Sequence, residues 1–331
     1  MMSRKIMSVA AVLGLVVGAS VAAAGVDVDA ELGDYTPVKG VSGNLKSIGS
    51  DTMNNEMTLW AEGFNAHYPN VRVEIEGKGS STAPPALIEG TSHFGPMSRP
   101  MKSKEIDAFE ERFGYAPVQL KTSIDMLAIY VHKDNPIAER GLSLQEVDAI
   151  FSKTRKGGHP VDIRTWGDLG LTGEWANKPI SLYGRNSASG TYGYLKKHAL
   201  FKGDYKDSVK EQPGSSSVVQ GVATDKYGIG YSGIGYKTAD VAAVSLAVET
   251  GDTYIAAVPE NAYSGEYPLA RFLLLAVNHL PGGELDPLRR EFVRYVFSRQ
   301  GQEVVLKDGY FPVPAAIARD ELKSVGIDPW Y

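Results

Sequence analysis

The residues best equipped for chemistry in this chain lie at 182–195, LYGRNSASGTYGYL. Arg185 brings a planar, permanently charged donor fork. Ser187, Ser189 and Thr191 bring hydroxyls, and Gly190 leaves backbone N–H groups uncovered. Carboxylates and histidines are absent from the stretch, so it is not built for proton transfer. The aromatic, helix-like segment behind it needs an N-cap, which Ser189 can supply. A helix start is also a place where anions are held, because its first N–H groups point outward and carry partial positive charge. The pattern occurs twice more. IGSDTM at 48–53 and GKGSSTAPPALI at 77–88 also close a strand-like run with small hydroxyl or glycine residues directly ahead of a helical pattern. Pro84 and Pro85 suit a first helical turn. Capping explains each turn by itself. Together, in an open α/β sheet whose strand-to-helix turns gather at the carboxyl edge, they describe a cage of neutral donors around one tetrahedral oxyanion, with Arg185 as its cation.

Other chemistries find less support. The six histidines are scattered, no HExxH occurs and cysteine is absent, so no metal site is expected. There is no G-x-S-x-G elbow. GIGYSG at 228–233 fits G-x-G-x-x-G, but no buried strand precedes it and its glycines alternate with Ile and Tyr as inside a strand. No catalytic residue and no cofactor is expected.

Elements that must position these turns are legible in outline. Met53, Met57, Trp60 and Phe64 recur at helical spacing between two strand-like runs, LKSIGS and VRVEIEG. PPALIEGTSHFGPMS reads as a short helix leading to a strand, and DMLAIYVHKD as a buried strand. Helices are expected at 144–151 and 191–201, further strands at YGIGYSGIGY and RFLLLAVNHL, and one long amphipathic helix over LDPLRREFVRYVFSRQGQEVVLKDG. Such alternation argues for an α/β protein with mainly parallel sheets.

The first 24 residues show Arg4 and Lys5, an apolar run and Ala22-Ala23-Ala24, the layout of a cleaved export signal. Residues 25–43 are acidic and aperiodic and read as a flexible leader. Loss of the signal's two basic residues takes the formal charge from −5 to −7, which argues against nucleic acid as a partner but not against one small anion bound by local donors. Export without cysteine leaves stability to a hydrophobic core, and the simplest compartment is the periplasm.

At the three turns the sequence resembles the phosphate-binding proteins of bacterial ABC importers. The resemblance runs from SIGSDTM through GIGYSGIGY to FVRYVFSRQGQEVVLKDGYFPVP. It implies a two-lobe periplasmic-binding-protein fold of type II with a hinge, lobe I being 44–123 with 265–331 and lobe II 124–264. It further implies a monomer that binds inorganic phosphate between the lobes and delivers it to an inner-membrane ABC permease. Carried over by position, Thr52 binds through its hydroxyl, Met53 through its backbone N–H, Ser80 through its hydroxyl, Arg185 as the cation, and Ser189, Gly190 and Thr191 close the cage. One position departs: where the family often has an aspartate after its FG strand, this chain has Ser98, followed by Arg99. A carboxylate there accepts the proton of hydrogen phosphate and rejects sulfate, so Asp51 becomes the candidate compensating acceptor, and Arg99 is expected to pair with a surface carboxylate. Rival readings are a receptor for another oxyanion or a phosphorylated metabolite, a secreted phosphatase, and a surface adhesion or sensing protein.

Overall fold

The computed structural model describes residues 26–331; the expected export signal lies outside them. The strands are β1 (Gly43–Gly49), β2 (Val71–Gly77), β3 (Phe94–Met97), β4 (Val118–His132), β5 (Leu142–Ser143), β6 (Ser181–Arg185), β7 (Lys210–Gln212), β8 (Gly228–Gly233), β9 (Val241–Ala243), β10 (Leu246–Ala247), β11 (Ala270–Val277) and β12 (Phe311–Pro312). The α-helices are α1 (Asn54–His67), α2 (Ala83–Ile88), α3 (Ser103–Phe113), α4 (Ile137–Arg140), α5 (Leu144–Phe151), α6 (Gly190–His198), α7 (Ser215–Thr224), α8 (Pro259–Tyr263), α9 (Pro287–Val296), α10 (Arg299–Lys307) and α11 (Ala315–Ser324).

Ten strands form one sheet, in the order β2-β1-β3-β11-β4-β8-β6-β7, with β9 and β12 each added to β4. Pairing is parallel on both flanks, where β1 meets β2 and β3 and where β6 meets β7 and β8. Helices supply the crossovers that parallel neighbours require. Through the middle, β11 and β4 pair antiparallel with each other and with their flanking strands. These two long strands carry the chain out of the first flank and back into it, so they run in opposite senses. β4 serves both halves: Val118 to Met126 pairs with β11, and Leu127 to Val131 pairs with β8.

Helical spacing located α1 correctly: Met53, Met57, Trp60 and Phe64 are all fully buried. GIGYSG is the buried strand β8. A Cβ on its Gly230 would come within 2.8 Å of Val218 and 2.9 Å of Val222, so glycine is what lets α7 lie flat on the sheet.

Two expectations are corrected. The long amphipathic helix is two helices, α9 and α10. Ser298 breaks it by accepting a hydrogen bond from Gly301 N (3.1 Å) as the N-cap of α10, while the apolar period continues across the break and so conceals it. The supposed flexible leader is packed. Leu32, Tyr35 and Val41 are buried, the Tyr35 hydroxyl bonds to Tyr68 Oη (2.7 Å) and donates to Glu291 (3.0 Å), and Arg299 N donates to Gly33 O (2.9 Å). The partners lie far away in sequence, so local patterning could not show them.

Trp60 ties α1 to α10 through Nε1–H donating to Gly301 O (2.8 Å). Trp60→Phe keeps most of the ring and removes the donor. The expected loss is about 1–3 kcal/mol of unfolding free energy, read in urea as a lower midpoint with an unchanged slope; an unchanged midpoint would contradict it.

Candidate functional site

Parallel register places the ends of β1 and β2 side by side, with Gly49 opposite Gly77. After β1 the chain turns through a short 3-10 helix (Asp51–Met53) into α1, and after β2 through another (Ser80–Thr82) into α2. β6, on the opposite flank, runs through Asn186 to Ala188 into α6. The third turn meets the second. Ser81 N donates to Ala188 O (3.1 Å), and Gly79, at φ +117°, lies so near that an added Cβ would stand 2.5 Å from Ala188 O. A Cβ on Gly190 would fall 2.2 Å from Ser80 Oγ and 2.5 Å from Ser98 Oγ. Only glycine permits the N-terminus of α6 to approach this closely.

Five hydroxyls gather there. Thr52 and Thr191 share a hydrogen bond between their Oγ1 atoms at 2.9 Å; Ser98 Oγ is 3.1 Å from Ser50 Oγ, 3.2 Å from Ser80 Oγ and 3.4 Å from Thr191 Oγ1. All five residues are buried. Capping does not account for the cluster. Ser189 does cap α6, accepting from Tyr192 N (3.3 Å), but Ser50 makes no side-chain cap, and the Ser80–Thr82 turn opens on Gly79, which has no side chain to offer. Ser50 and Ser80 instead direct their hydroxyls to Ser98 Oγ.

Arg185 is 2 % exposed. Its Nη1 donates to Ser215 Oγ (2.8 Å) and lies 3.1 Å from Asp51 Oδ2, Nη2 donates to Pro213 O (3.3 Å), and Nε–H has no partner among the described residues. Asp51 Oδ2 also accepts from Ser215 N (2.7 Å). Asp51 therefore does not cap its own helix; it holds Arg185 and the start of α7. This fourth turn, GSSS at 214–217, escaped sequence reasoning, although its glycine and hydroxyl composition matches the other three.

A second buried guanidinium was missed as well. Arg271 Nε and Nη2 donate to Asp125 Oδ2 (2.8 and 2.7 Å), Nη1 donates to Ser98 O (2.7 Å) and Nη2 to Thr191 Oγ1 (3.0 Å). Asp125 Oδ1 accepts from Ile234 N (2.9 Å). The signal was present: Arg271 is the one charge in β11, and Asp125 stands at the head of the buried run DMLAIYV in β4, where a charge needs a partner.

Of the residues expected to bind, Thr52, Ser80, Ser98, Arg185, Ser189, Gly190 and Thr191 come together. Met53 is placed differently. Its N–H donates to Ser50 O (3.3 Å), closing the turn, and its side chain is in the core. Arg99 pairs with Glu105 through two 2.8 Å bonds, but that carboxylate is largely covered rather than a surface group.

Fold and site together define a class. Residues 36–300 match the family model described as the PBP superfamily domain. The chain is 54% identical over 318 residues to the phosphate-binding protein PstS of Pseudomonas aeruginosa, covering 96% of this chain and 98% of that one. It is 28% identical over 276 residues to the PstS of Bacillus subtilis, covering 82% and 81%. Among solved structures it is similar to a protein of Clostridium perfringens assigned as a phosphate ABC transporter substrate-binding protein, with bound phosphate: TM-score 0.69, 26% identity, 82% of this chain and all of that one. The chain belongs to the PBP superfamily and, within it, to the PstS family.

Beside the first turn of α1 sit two acids with no cationic partner among the described residues. Glu56, in the first turn of α1, is fully buried and neither carboxyl oxygen has a hydrogen-bond partner among the described residues. Burial, reinforced by Asp308 and Asp125, pushes its pKa well up. Asp308, at the end of α10, is raised from an ordinary 3.8 to about 7, again by burial. An acid whose pKa is raised on folding stabilises the fold fully below its unfolded pKa, and that contribution is lost as pH rises through the folded value. The melting temperature is expected to fall as pH rises from about 4 to about 7, and Asp308→Asn, which keeps shape and neutrality, should flatten that slope. Parallel profiles for the two proteins would count against this account.

Proposed function

We propose that this chain is the periplasmic receptor of a bacterial phosphate ABC importer: it closes on inorganic phosphate and carries it to the inner-membrane permease, without chemistry on the ligand. The observation that carries the reading is the convergence of three strand-to-helix turns and a buried arginine on one cluster of hydroxyls, in a chain whose relatives include the PstS proteins. Thr52, Ser80, Ser98, Arg185, Ser189, Gly190 and Thr191 are the proposed ligand residues. Their hydroxyls and the amides at the start of α6 donate, while Arg185, its charge already answered by Asp51, adds a charged N–H donor. Met53 is retained only through its amide, which would have to give up Ser50 O.

The proposed lobes are 44–123 with 265–331, and 124–264. Their boundary lies within β4, which changes pairing partner between Met126 and Leu127. The contacts Thr52–Thr191, Asp51–Arg185 and Ser81–Ala188 would then close the cleft, and closure would follow a hinge. Export after removal of residues 1–24 and a monomeric receptor complete the proposal. No helix among the described residues is long and apolar enough to cross a membrane.

Calorimetry on ligand-free protein tests the central claim. Tight, saturable binding of phosphate near one equivalent is expected, with arsenate competing; the absence of phosphate binding would overturn it. Arg185→Ala removes the charge and leaves Asp51 unpaired, so phosphate affinity should drop on the order of 100-fold or more, with the far-ultraviolet circular dichroism spectrum unchanged. Wild-type affinity in that variant would refute the site.

A further inference from the structure

Next to the cage, and meeting it at Ser189, lies a groove of about 1000 Å³. One wall is formed by the segment after β3 together with β4 and β11, and the other by α6 and the loop that follows it. Arg99 and Arg271 form the partition. Arg271 Nη1 donates inward to Ser98 O (2.7 Å) and Arg99 Nη2 to Ser81 Oγ (3.2 Å), and each guanidinium is already matched by a carboxylate. Ser98 and Thr191, on the inner side, are fully buried, so the groove is not the mouth of an open cage.

Its lining is unlike the rest of the molecule. The chain carries a formal charge of −5, yet Lys102, Lys121, Lys196, Lys197 and Lys202 line the groove and no aspartate or glutamate does. Lys196 is held by Asp204 (2.8 Å) and Lys121 stands 3.8 Å from Glu321. Lys102, Lys197 and Lys202 are exposed and have no carboxylate within 4.0 Å among the described residues. Below this rim the floor is apolar: Met101 and Leu274 are buried, and Tyr192 and Phe272 are half-buried. Uncompensated lysines attract a multiply charged anion as point charges. A floor of this kind adds affinity only for a ligand with a carbon body, and the volume is in the range that holds a small organic molecule.

We propose that this groove is a second binding site, for an organic phosphate monoester, with the dianionic head on the lysine rim and an aromatic or apolar body on the floor. Inorganic phosphate has no body to cover that floor. The cage offers such a body only hydroxyls and charged groups, with no apolar floor to cover. The two sites therefore sort inorganic from organic phosphate and can be filled together.

The experiment titrates phenyl phosphate into the full protein held in a large excess of inorganic phosphate, by calorimetry. Saturable binding near one equivalent is expected, weakening as salt is raised, with methyl phosphate binding less tightly. The triple variant K102Q/K197Q/K202Q should lose about tenfold in phenyl phosphate affinity while its affinity for inorganic phosphate stays within about twofold. The proposal fails if no saturable binding occurs, or if binding vanishes once inorganic phosphate is in excess, which would make phenyl phosphate a competitor for the cage. It fails equally if the triple variant binds phenyl phosphate like the parent, or loses inorganic phosphate to the same degree. Phosphate affinity measured alone reports on the cage independently of all these outcomes.

Discussion

Two guanidinium groups taken out of water are the constraint around which this structure is arranged. Side chains of Arg185 and Arg271 are each 2 % exposed, and removing an ion from water costs several kcal/mol unless charge and hydrogen bonds replace the solvent. Asp51 answers Arg185 and Asp125 answers Arg271. Each pair then reaches outward: Asp51 takes the amide that begins α7, while Arg271 takes Ser98 O and Thr191 Oγ1. The turns are where they are because these polar demands must be met together. A formal balance follows, since two cations against two carboxylates leave no net charge to attract a dianion. Attraction must come from oriented neutral donors, hydroxyls and helix-start amides, whose partial charges act strongly where water is excluded.

How much of this could be read in the sequence depended on the range of the interaction. Helix starts, apolar spacing and glycine punctuation are local, and they revealed α1, α5, α6, β8 and the three turns. Charges inside apolar strands were visible but not paired, because Asp125 and Arg271 are joined only when β4 and β11 lie side by side. Ser215 was passed over for a similar reason: its turn follows the three-residue strand β7, too short to read as a strand end. The segment at 26–43 shows the opposite failure. Its composition is that of a solvated leader, and only long-range partners such as Glu291 and Tyr68 explain why it is packed.

Ser98 is the most informative single position. Its hydroxyl is the hub of the cluster, with Ser50, Ser80 and Thr191 around it, and its backbone N–H donates to Ser80 Oγ (3.0 Å). A carboxylate at this position would only accept, and it would bring a third negative charge close to Asp51 and Asp125. A hydroxyl can turn to donate or accept, so discrimination between protonated and unprotonated oxyanions cannot rest on this side chain as it would on a carboxylate. Asp51 Oδ2 is occupied by Arg185 and Ser215. The five hydroxyls form a connected set, in which the orientation of each proton limits its neighbours.

The same arrangement bears on how such a cage can open. The contacts that join the first two turns to the third and fourth are hydrogen bonds and ion pairs: Thr52 to Thr191, Ser81 to Ala188, Asp51 to Arg185 and to Ser215 N, and Tyr236 Oη to Asp51 O. Water can replace each of them, so their net contributions are only about 0.5–1.5 kcal/mol for a neutral bond and about 1.5–3 for a charged one. An interface of packed apolar side chains would lose its contacts outright on separation. Here separation would exchange one set of partners for another, so that open and closed forms of the proposed cage would lie close in free energy. A ligand that adds donors' partners only in the closed form can then tip the balance with modest differential affinity. Under the proposed function, the polar character of the turns would serve both ends of the cycle, gripping an anion when closed and allowing its release without the cost of breaking a hydrophobic seam.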